Sequence, residues 1–137
     1  MIHFFYENTE ENIDESLKKW VAEIIINEGK KPGEINYIFC DDEYLLKINR
    51  DYLQHDYYTD IITFDSVKGK TINGEIFVSL QRVSDNASAL SVSRQQELKR
   101  VLAHGILHLC GYKDKTDEEI LKMRRKEEFY INDFSGA

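Results

Sequence analysis

Apolar residues recur at helical spacing in the segment that separates the first two strand-like stretches of the chain. This segment spans residues 12–31, and its repeat of three and four positions predicts an amphipathic helix. Gly29 is placed to end that helix. The apolar positions of the repeat are Ile13, Leu17, Trp20, Val21, Ile24 and Ile25. Residues 43–53 show the same spacing, and Asp41 or Asp42 can cap the helix that they predict.

The second half of the chain carries further helical repeats at residues 79–92, 94–110 and 117–131. A capping box, in which a hydroxyl residue is followed three positions later by Gln or Glu, precedes each of the last two. The boxes are Ser93 with Gln96 and Thr116 with Glu119. Gly111 is placed to end the middle helix, which lets the chain reverse its direction.

Short segments with the apolar or alternating pattern of β-strands lie between these helices. They are residues 2–7, 33–42, 61–64 and 73–80. The Asn73-Gly74 pair is typical of a hairpin turn and is expected to lead into the last strand. Strands and helices alternate early and helices cluster late, which favours an α/β (α+β) fold. We expect a single domain over residues 1–137, with a small mixed sheet of about four strands packed against helices.

Composition and charge narrow the class of protein. Hydrophobic residues make up 42% of the chain, which is enough for a folded core. The net charge of -7 argues against a protein surface that is basic overall and binds nucleic acid, although a local basic cleft remains compatible with it. The charged run 123–128 is expected to be an exposed helix face. Cys40 and Cys110 form no CxxC pattern, which favours a reduced, cytoplasmic protein. No membrane span and no secretory leader are expected.

Two of the four histidines lie four residues apart in the helix predicted at residues 94–110. That spacing puts His104 and His108 on one face of the helix, where they can chelate one metal ion. Their neighbours in sequence are largely apolar, and a metal ion satisfies two buried imidazoles at once. The alternative is that they are unrelated core histidines bonded to the backbone or to water.

The residues that follow the second histidine favour the metal interpretation. Gly111 lets the chain turn, so that Asp114 can fold back towards the histidines. Three protein ligands would leave a fourth position for water, as in catalytic zinc sites. Asp114 is alternatively a solvated turn residue, and Cys110 points away around the helix and is expected in the core. Zincin peptidases carry Glu after the first histidine, but Gly105 stands there, so a metallopeptidase would lack its usual base.

The segment "HGILHLCGYKD", residues 104–114, resembles the signature H-G-x-L-H-L-x-G-Y-D-H of the YbeY family of bacterial metal-dependent endoribonucleases and rRNA maturation factors. The segments "INRDYLQHDYYTDIITFD" and "NGEIFVSL" are similar to the family's motifs ending in T-[DN]-V-L-S-F and G-[DE]-I-x-I-S. The resemblance implies that His104, His108 and Asp114 hold one zinc ion per chain. It also implies cleavage of single-stranded RNA in 16S rRNA 3′-end maturation and ribosome quality control. The implied partners are the small ribosomal subunit and a ribosomal protein or assembly GTPase.

Two positions depart from the family pattern. Asp114 stands where the signature ends in histidine, and a carboxylate ligand lowers the charge of a zinc site from about +2 to about +1. Water should then be less acidified, and harder ions such as manganese should be accepted more readily. Leu53 stands where the family commonly has an arginine, so positive charge in that segment has to come from Arg50 or His55.

Basic and aromatic side chains are the candidate RNA contacts. The cations that bracket the histidine helix in sequence are candidate phosphate contacts: Arg94, Lys99, Arg100, Lys113 and Lys115. Lys113 and Lys115 flank the proposed ligand and are the preferred pair, with Arg50 and His55 as further candidates. The loop aromatics that can stack on unpaired bases are His55, Tyr57 and Tyr58. Each of these residues is also explained as an ordinary surface or loop residue, and no general base is assigned. Two alternatives to a nuclease stay open: a non-catalytic ribosome-assembly factor with structural zinc, and a small metallopeptidase.

Overall fold

The computed structural model describes residues 1–134, whose fold combines a four-stranded β-sheet with five α-helices and a short π-helix. The strands are β1 (Ile2–Tyr6), β2 (Lys31–Cys40), β3 (Ile61–Asp65) and β4 (Thr71–Ser79). The helices are α1 (Ser16–Asn27), α2 (Asp42–Leu53), α3 (Leu80–Leu90), α4 (Arg94–Leu109) and α5 (Asp117–Glu128), and the π-helix covers Phe129–Asp133. The expected α+β class with a small mixed sheet is confirmed. Within the described part of the chain, no helix is both long enough and apolar enough to span a membrane.

The sheet has the strand order β1-β2-β4-β3. Strands β1, β2 and β4 run parallel, and β3 pairs with β4 in the antiparallel sense at one edge. Parallel neighbours need a crossover connection, and α1 provides it between β1 and β2. The register places Phe4 beside Tyr37 and Tyr37 beside Ile76, so a row of large apolar side chains crosses the sheet.

Helices α1 and α4 pack on one face of the sheet and form the main core with it. The alternating residues of β2 that face this core are fully buried, as their pattern predicts: Ile35, Tyr37 and Phe39. The hydroxyl of Tyr37 donates to the backbone carbonyl oxygen of Leu102 in α4 at 2.9 Å, which satisfies the buried phenol. Helix α2 covers the other face, where Leu45 packs with Ile62 of β3. Packing against the sheet therefore fixes the position of α4, and one side of that helix faces β3.

The hairpin turn between β3 and β4 does not lie at Asn73-Gly74, because both residues are inside β4. The chain turns earlier, where Gly69 adopts a φ of +60°. Gly74 meets a different requirement, since a Cβ there would lie 2.7 Å from the carbonyl oxygen of Phe64. The side-chain oxygen of Asn73 accepts a hydrogen bond from the backbone N–H of Glu34 at 2.8 Å. Gly74 thus allows β3 and β4 to pack closely, and Asn73 links β4 to β2. Neither residue forms the turn.

Capping fixes the helix boundaries around the histidine segment. The Ser93 hydroxyl accepts a hydrogen bond from the backbone N–H of Gln96 at 3.0 Å at the start of α4. Thr116 and Glu119 form both halves of the predicted capping box at the start of α5. Gly111 follows α4 with a φ of +112°, a conformation that favours glycine. Gly111 and the Thr116 capping box thus bound a short turn that connects α4 to α5.

Candidate active site

Helix α4 carries the two histidines of the metal hypothesis on one side. His104 and His108 lie one turn apart, and their ring centroids are 5.8 Å from each other. Both residues are partly buried. The other sides of the helix are anchored in the core by residues such as Leu102 and Ile106, which have no exposed surface. Helix α4 is thus a buried helix that presents two imidazoles in the same direction.

Each imidazole is oriented by a hydrogen bond at Nδ1. Nδ1 of His104 lies 2.7 Å from Oε2 of Glu127, and Nδ1 of His108 lies 2.8 Å from the backbone carbonyl oxygen of Tyr112. Because a carbonyl oxygen can only accept, the neutral His108 ring donates from Nδ1 and keeps a lone pair on Nε2. Ligand histidines typically donate their second nitrogen to a carboxylate or a carbonyl in this way. Both rings therefore have the orientation of histidines that bind a metal through Nε2.

Asp114 folds back to the first histidine, with Oδ2 3.3 Å from Nε2 of His104. Two ligands of one tetrahedral zinc ion, each about 2.0–2.1 Å from it, lie about 3.4 Å apart, so this spacing fits a shared ion. Within residues 1–134, no group of three or more His, Cys, Asp or Glu side chains is close enough together to hold a metal ion as it stands. The donor types and the ring orientations fit a divalent metal ion, and binding would require the three side chains to move closer together.

A cleft of about 420 Å³ opens beside these three side chains. Its remaining walls come from the loop between α2 and β3 and from residues 61–63 of β3. The volume is in the range of sites that accept small molecules or single groups of larger substrates. Because β3 is an edge strand, no neighbouring strand of the described sheet closes that side of the cleft.

Among residues 1–134, Arg100 is the one arginine or lysine that lines the cleft. It donates to both carboxylate oxygens of Glu97, at 2.8 Å from Nε and 2.6 Å from Nη2. Nη2 also lies 3.3 Å from Oδ2 of Asp60, and Nη1 lies 3.6 Å from Oε1 of Glu127. The hydrogen bonds to Glu97 raise the pKa of Arg100 against the effect of burial. The guanidinium of Arg100 is therefore held in place by three carboxylates, which also offset its charge.

The protonation of His104 depends on burial and on the carboxylates of Glu127 and Asp114. Burial disfavours its charged form, but the hydrogen bond to Glu127 and the charges of Glu127 and Asp114 outweigh burial. The pKa of His104 is therefore raised above its ordinary value. A metal ion at Nε2 has to displace a proton there, which couples metal binding to pH.

The loop between α2 and β3 brings aromatic side chains to the cleft. His55 and Tyr57 both line it, and their rings stack with centroids 5.2 Å apart and planes inclined by 19°. The hydroxyl of Tyr57 lies 3.0 Å from Nδ1 of His55, and 56% of Tyr57 is exposed. Leu53 also lines the cleft. The loop and the last residue of α2 therefore offer an aromatic and apolar surface to the cleft.

The other candidate RNA contacts lie outside the cleft. Arg50 is exposed and donates from Nε to Oδ1 of Asp56 at 2.6 Å. Lys113 and Lys115 are exposed on the turn between α4 and α5, and neither forms part of the cleft wall. Of the predicted contacts, Arg100, His55 and Tyr57 therefore lie on the cleft wall, whereas Arg50, Lys113 and Lys115 lie on the surrounding surface.

Glu127 is the residue of this site that the sequence reasoning missed. The charged run 123–128 was expected to be an exposed helix face, whereas Glu127 is 3% exposed. The signal lies in the spacing of Met123, Glu127 and Tyr130, which follow each other at four and three residues and form a buried stripe along α5 and the π-helix. A carboxylate on such a stripe indicates a buried pairing, because charged residues are almost never buried alone.

Gly105 explains why this histidine helix lacks the glutamate of peptidases. Position 105 faces the sheet, and a Cβ there would lie 2.9 Å from Cδ1 of Ile61 and 3.1 Å from Cγ2 of Ile76. A glutamate side chain at this position would enter the core between α4 and the sheet instead of the cleft. The missing base therefore follows from how closely α4 packs on β3 and β4.

These features together define an α+β protein whose cleft carries two oriented histidines and an aspartate as a candidate metal site. The family model described as endoribonuclease YbeY matches residues 3–135. The chain belongs to the YbeY endoribonuclease family.

Individual relatives agree with this assignment over most of the chain. The endoribonuclease YbeY of Flavobacterium johnsoniae is 58% identical over 130 residues, which is 93% of this chain and 93% of that protein. The endoribonuclease YbeY of Christiangramia forsetii is 52% identical over 128 residues, covering 93% of this chain and 90% of the relative. The solution structure of TM1509 from Thermotoga maritima is similar with a TM-score of 0.72 and 30% identity, covering 96% of this chain and 87% of the other.

Proposed function

We propose that this protein hydrolyses phosphodiester bonds of single-stranded RNA, with one zinc ion held by His104, His108 and Asp114. The observation that carries the proposal is the approach of Asp114 Oδ2 to Nε2 of His104, at 3.3 Å, on the wall of an open cleft. Hydrogen bonds at Nδ1 of both histidines support it, because they direct Nε2 to the proposed ion. Relatives named endoribonucleases support RNA as the substrate.

The residues of the cleft have distinct roles in this proposal. A bound zinc ion supplies Lewis acidity to the phosphodiester. His104 and His108 hold the ion through nitrogen, and Asp114 holds it through a carboxylate that lowers the net charge of the site. Arg100 lies on the cleft wall, where its guanidinium would exchange part of its contacts with carboxylates for the negative charge that develops on the phosphoryl group.

The surroundings of the cleft suggest how an RNA strand is held. The stacked rings of His55 and Tyr57 offer an aromatic face to an unpaired base, and stacking of this kind tolerates any base. Lys113, Lys115 and Arg50 are exposed around the cleft and are assigned to backbone phosphates. Such local contacts are needed because the chain as a whole carries a net charge of -7.

We assign the activity to ribosome maturation in the cytoplasm. The substrate in this proposal is ribosomal RNA of the small subunit, processed at the 3′ end of 16S rRNA and in ribosome quality control. A ribosomal protein or an assembly GTPase is the proposed partner that brings the enzyme to its RNA. The likeness of the motifs to the family supports these assignments, and the full chain of 137 residues is taken as one domain.

The deciding experiment measures metal content by mass spectrometry and ribosomal RNA cleavage on the same samples. We expect wild type to carry about one zinc ion per chain and to cleave. Asp114→Ala should lose both metal and cleavage, because two histidines alone hold zinc weakly. Asp51→Ala, which removes an exposed carboxylate from α2, is the matched control and should keep both. If Asp114→Ala keeps its metal and its activity, Asp114 is a turn residue and the proposed ligand set is wrong.

Two other results would replace the nuclease proposal. If wild type binds zinc but cleaves no RNA, and chelation only unfolds it, the ion is structural and the assembly-factor alternative is favoured. If casein is digested and RNA is not, the protein is a metallopeptidase. Gly105 speaks against that last outcome, because its position faces the sheet and has no room for a catalytic glutamate.

A further inference from the structure

The carboxylate of Glu127 is a buried group on α5 that contacts two elements of the site. Glu127 is 3% exposed, and its Oε2 lies 2.7 Å from Nδ1 of His104. The other oxygen, Oε1, lies 3.6 Å from Nη1 of Arg100. Both carboxylate oxygens are therefore accounted for, one by a short hydrogen bond and one by a longer ionic contact.

The packing of α5 alone does not require a carboxylate at this position. Its neighbours on the buried stripe are Met123 and Tyr130, and an apolar residue would continue that stripe at no desolvation cost. Pairing with Arg100 does not require it either, because Glu97 already binds that guanidinium through two hydrogen bonds of 2.6 and 2.8 Å. The short contact of Glu127 is with His104, so this contact explains why a carboxylate stands at position 127.

We propose that Glu127 is a positioning residue of the metal site: its carboxylate accepts the Nδ1 proton of His104 and thereby directs Nε2 to the metal ion. The inference rests on the proposed role of His104 as a metal ligand. It follows that metal binding and the docking of α5 support each other, since His104 lies in α4 and its acceptor lies in α5. His108 is oriented independently, through the backbone of Tyr112.

The first test is a calorimetric titration of the metal-free full chain with Zn²⁺. We expect Glu127→Ala to weaken zinc binding about 10- to 100-fold, as loss of a carboxylate partner of a ligand histidine typically does. Glu127→Gln retains an oxygen that can accept the Nδ1 proton and should recover part of the loss. Glu128→Ala changes the exposed neighbour on the same helix and should bind zinc like wild type. Thermal unfolding of each variant in chelator shows whether the metal-free fold has been lost.

The second test reads the imidazole protons directly by ¹H–¹⁵N NMR of the zinc-loaded protein. Wild type should show Nδ1–H protons on both His104 and His108. Glu127→Ala should shift the His104 proton or abolish its protection, while the His108 proton stays in place as an internal control. A purely structural role of Glu127 would disturb both protons or neither.

Different results would overturn different statements. Zinc binding by Glu127→Ala that equals wild type, or a wild-type His104 that carries its proton on Nε2, overturns the positioning role even if cleavage and metal binding are as proposed. The wild-type spectrum decides this point even if the alanine variant fails to fold. Failure of wild type to bind zinc at all overturns the metal site itself, and with it the role of Glu127.

Discussion

The backbone carbonyl oxygen of Tyr112 accepts the hydrogen bond from Nδ1 of His108 at 2.8 Å, so the turn that ends α4 also orients a candidate metal ligand. Gly111 sets this turn with a φ of +112°. The hydroxyl of Tyr112 donates to Oε1 of Glu28 at 2.6 Å, and this hydrogen bond fixes the Tyr112 side chain to the C-terminal end of α1. The orientation of His108 therefore depends on backbone geometry and on a contact that reaches across the fold.

Gly111→Ala should weaken zinc binding as well as the fold. An L-residue at this φ is strained, and we expect a loss of about 1–3 kcal/mol in the free energy of unfolding. Relief of the strain would move the Tyr112 carbonyl away from His108, so zinc affinity measured by calorimetry should fall.

Gly69→Ala is the matched control for this strain. Gly69 has a φ of +60° in the turn between β3 and β4, and a Cβ there meets nothing within 4 Å. It should lose stability by a similar amount and keep its zinc affinity. If both variants bind zinc like wild type, the turn does not orient His108 for a metal.

Replacing the aspartate by the usual histidine of the family, Asp114→His, should change which metal is preferred and at which pH the enzyme works. A third neutral ligand leaves more charge on the ion, which acidifies water more strongly and favours zinc over manganese. We expect the rising limb of the pH–rate profile to move to lower pH and the ratio of zinc to manganese affinity to increase. Asp51→His adds a histidine on exposed α2 and should change neither property. An unchanged metal ranking in Asp114→His would contradict the idea that the carboxylate tunes the site.

Local pattern was enough to predict the elements and the histidine pair. His104 and His108 meet because residues four apart share a helix face, and the capping box of Thr116 and Glu119 needs only neighbours in sequence. The expected third ligand, Asp114, lies close to His104 because the glycine turn reverses the chain over a few residues. Features of this kind depend on short stretches of chain, which is why the sequence carries them.

Contacts between distant segments were the part that the sequence did not reveal. Glu127 reaches His104 from 23 residues away, and only the docking of α5 brings the two together. Gly74 looked like a turn residue because nothing local indicates that the Phe64 carbonyl approaches it. Lys113 was preferred as an RNA contact for its place beside Asp114, yet neighbours in a turn point in different directions.

The ion pair between Asp42 and Arg82 should make stability depend on pH in acid. Burial opposes ionisation of Asp42, but hydrogen bonds from Arg82 and Ser79 and the charge of Arg82 outweigh it, so its pKa is lowered from 3.8. A lowered pKa in the folded state means that the unfolded chain binds the proton first as pH falls. The contribution is thus complete well above pH 3.8 and is lost as pH falls below that value through the folded pKa.

Asp42→Asn should lower the free energy of unfolding at pH 7 by about 1–3 kcal/mol, because it weakens a partly buried ionic contact. Urea unfolding of both proteins between pH 3 and pH 7 measures the difference, which should shrink towards the acid end. Asp51→Asn, at an exposed position on the same helix, should show no such trend. A difference between wild type and Asp42→Asn that is constant with pH would mean that the ionised carboxylate is not what stabilises this contact.

Tyr57 should contribute to binding of single-stranded RNA more than to the chemical step. Its ring is 56% exposed, lines the cleft and is backed by His55 at 5.2 Å, which is the arrangement of a stacking platform. Loss of one stacked base costs about 1–3 kcal/mol, so Tyr57→Ala should raise KM for a single-stranded oligoribonucleotide about 5- to 150-fold with little change in kcat. Tyr57→Phe keeps the aromatic face and should lose much less.

Tyr52→Ala separates stacking in the cleft from a general loss of exposed aromatic surface. Tyr52 is 68% exposed on α2 but does not line the cleft, so its removal should leave KM unchanged. A duplex of the same sequence offers no unpaired base, so cleavage of it, if any, should be insensitive to Tyr57→Ala. If Tyr57→Ala instead lowers kcat at constant KM, the aromatic loop acts on the reacting phosphate rather than on a base. The strand would then cross the cleft closer to β3, beneath the ring instead of against its face.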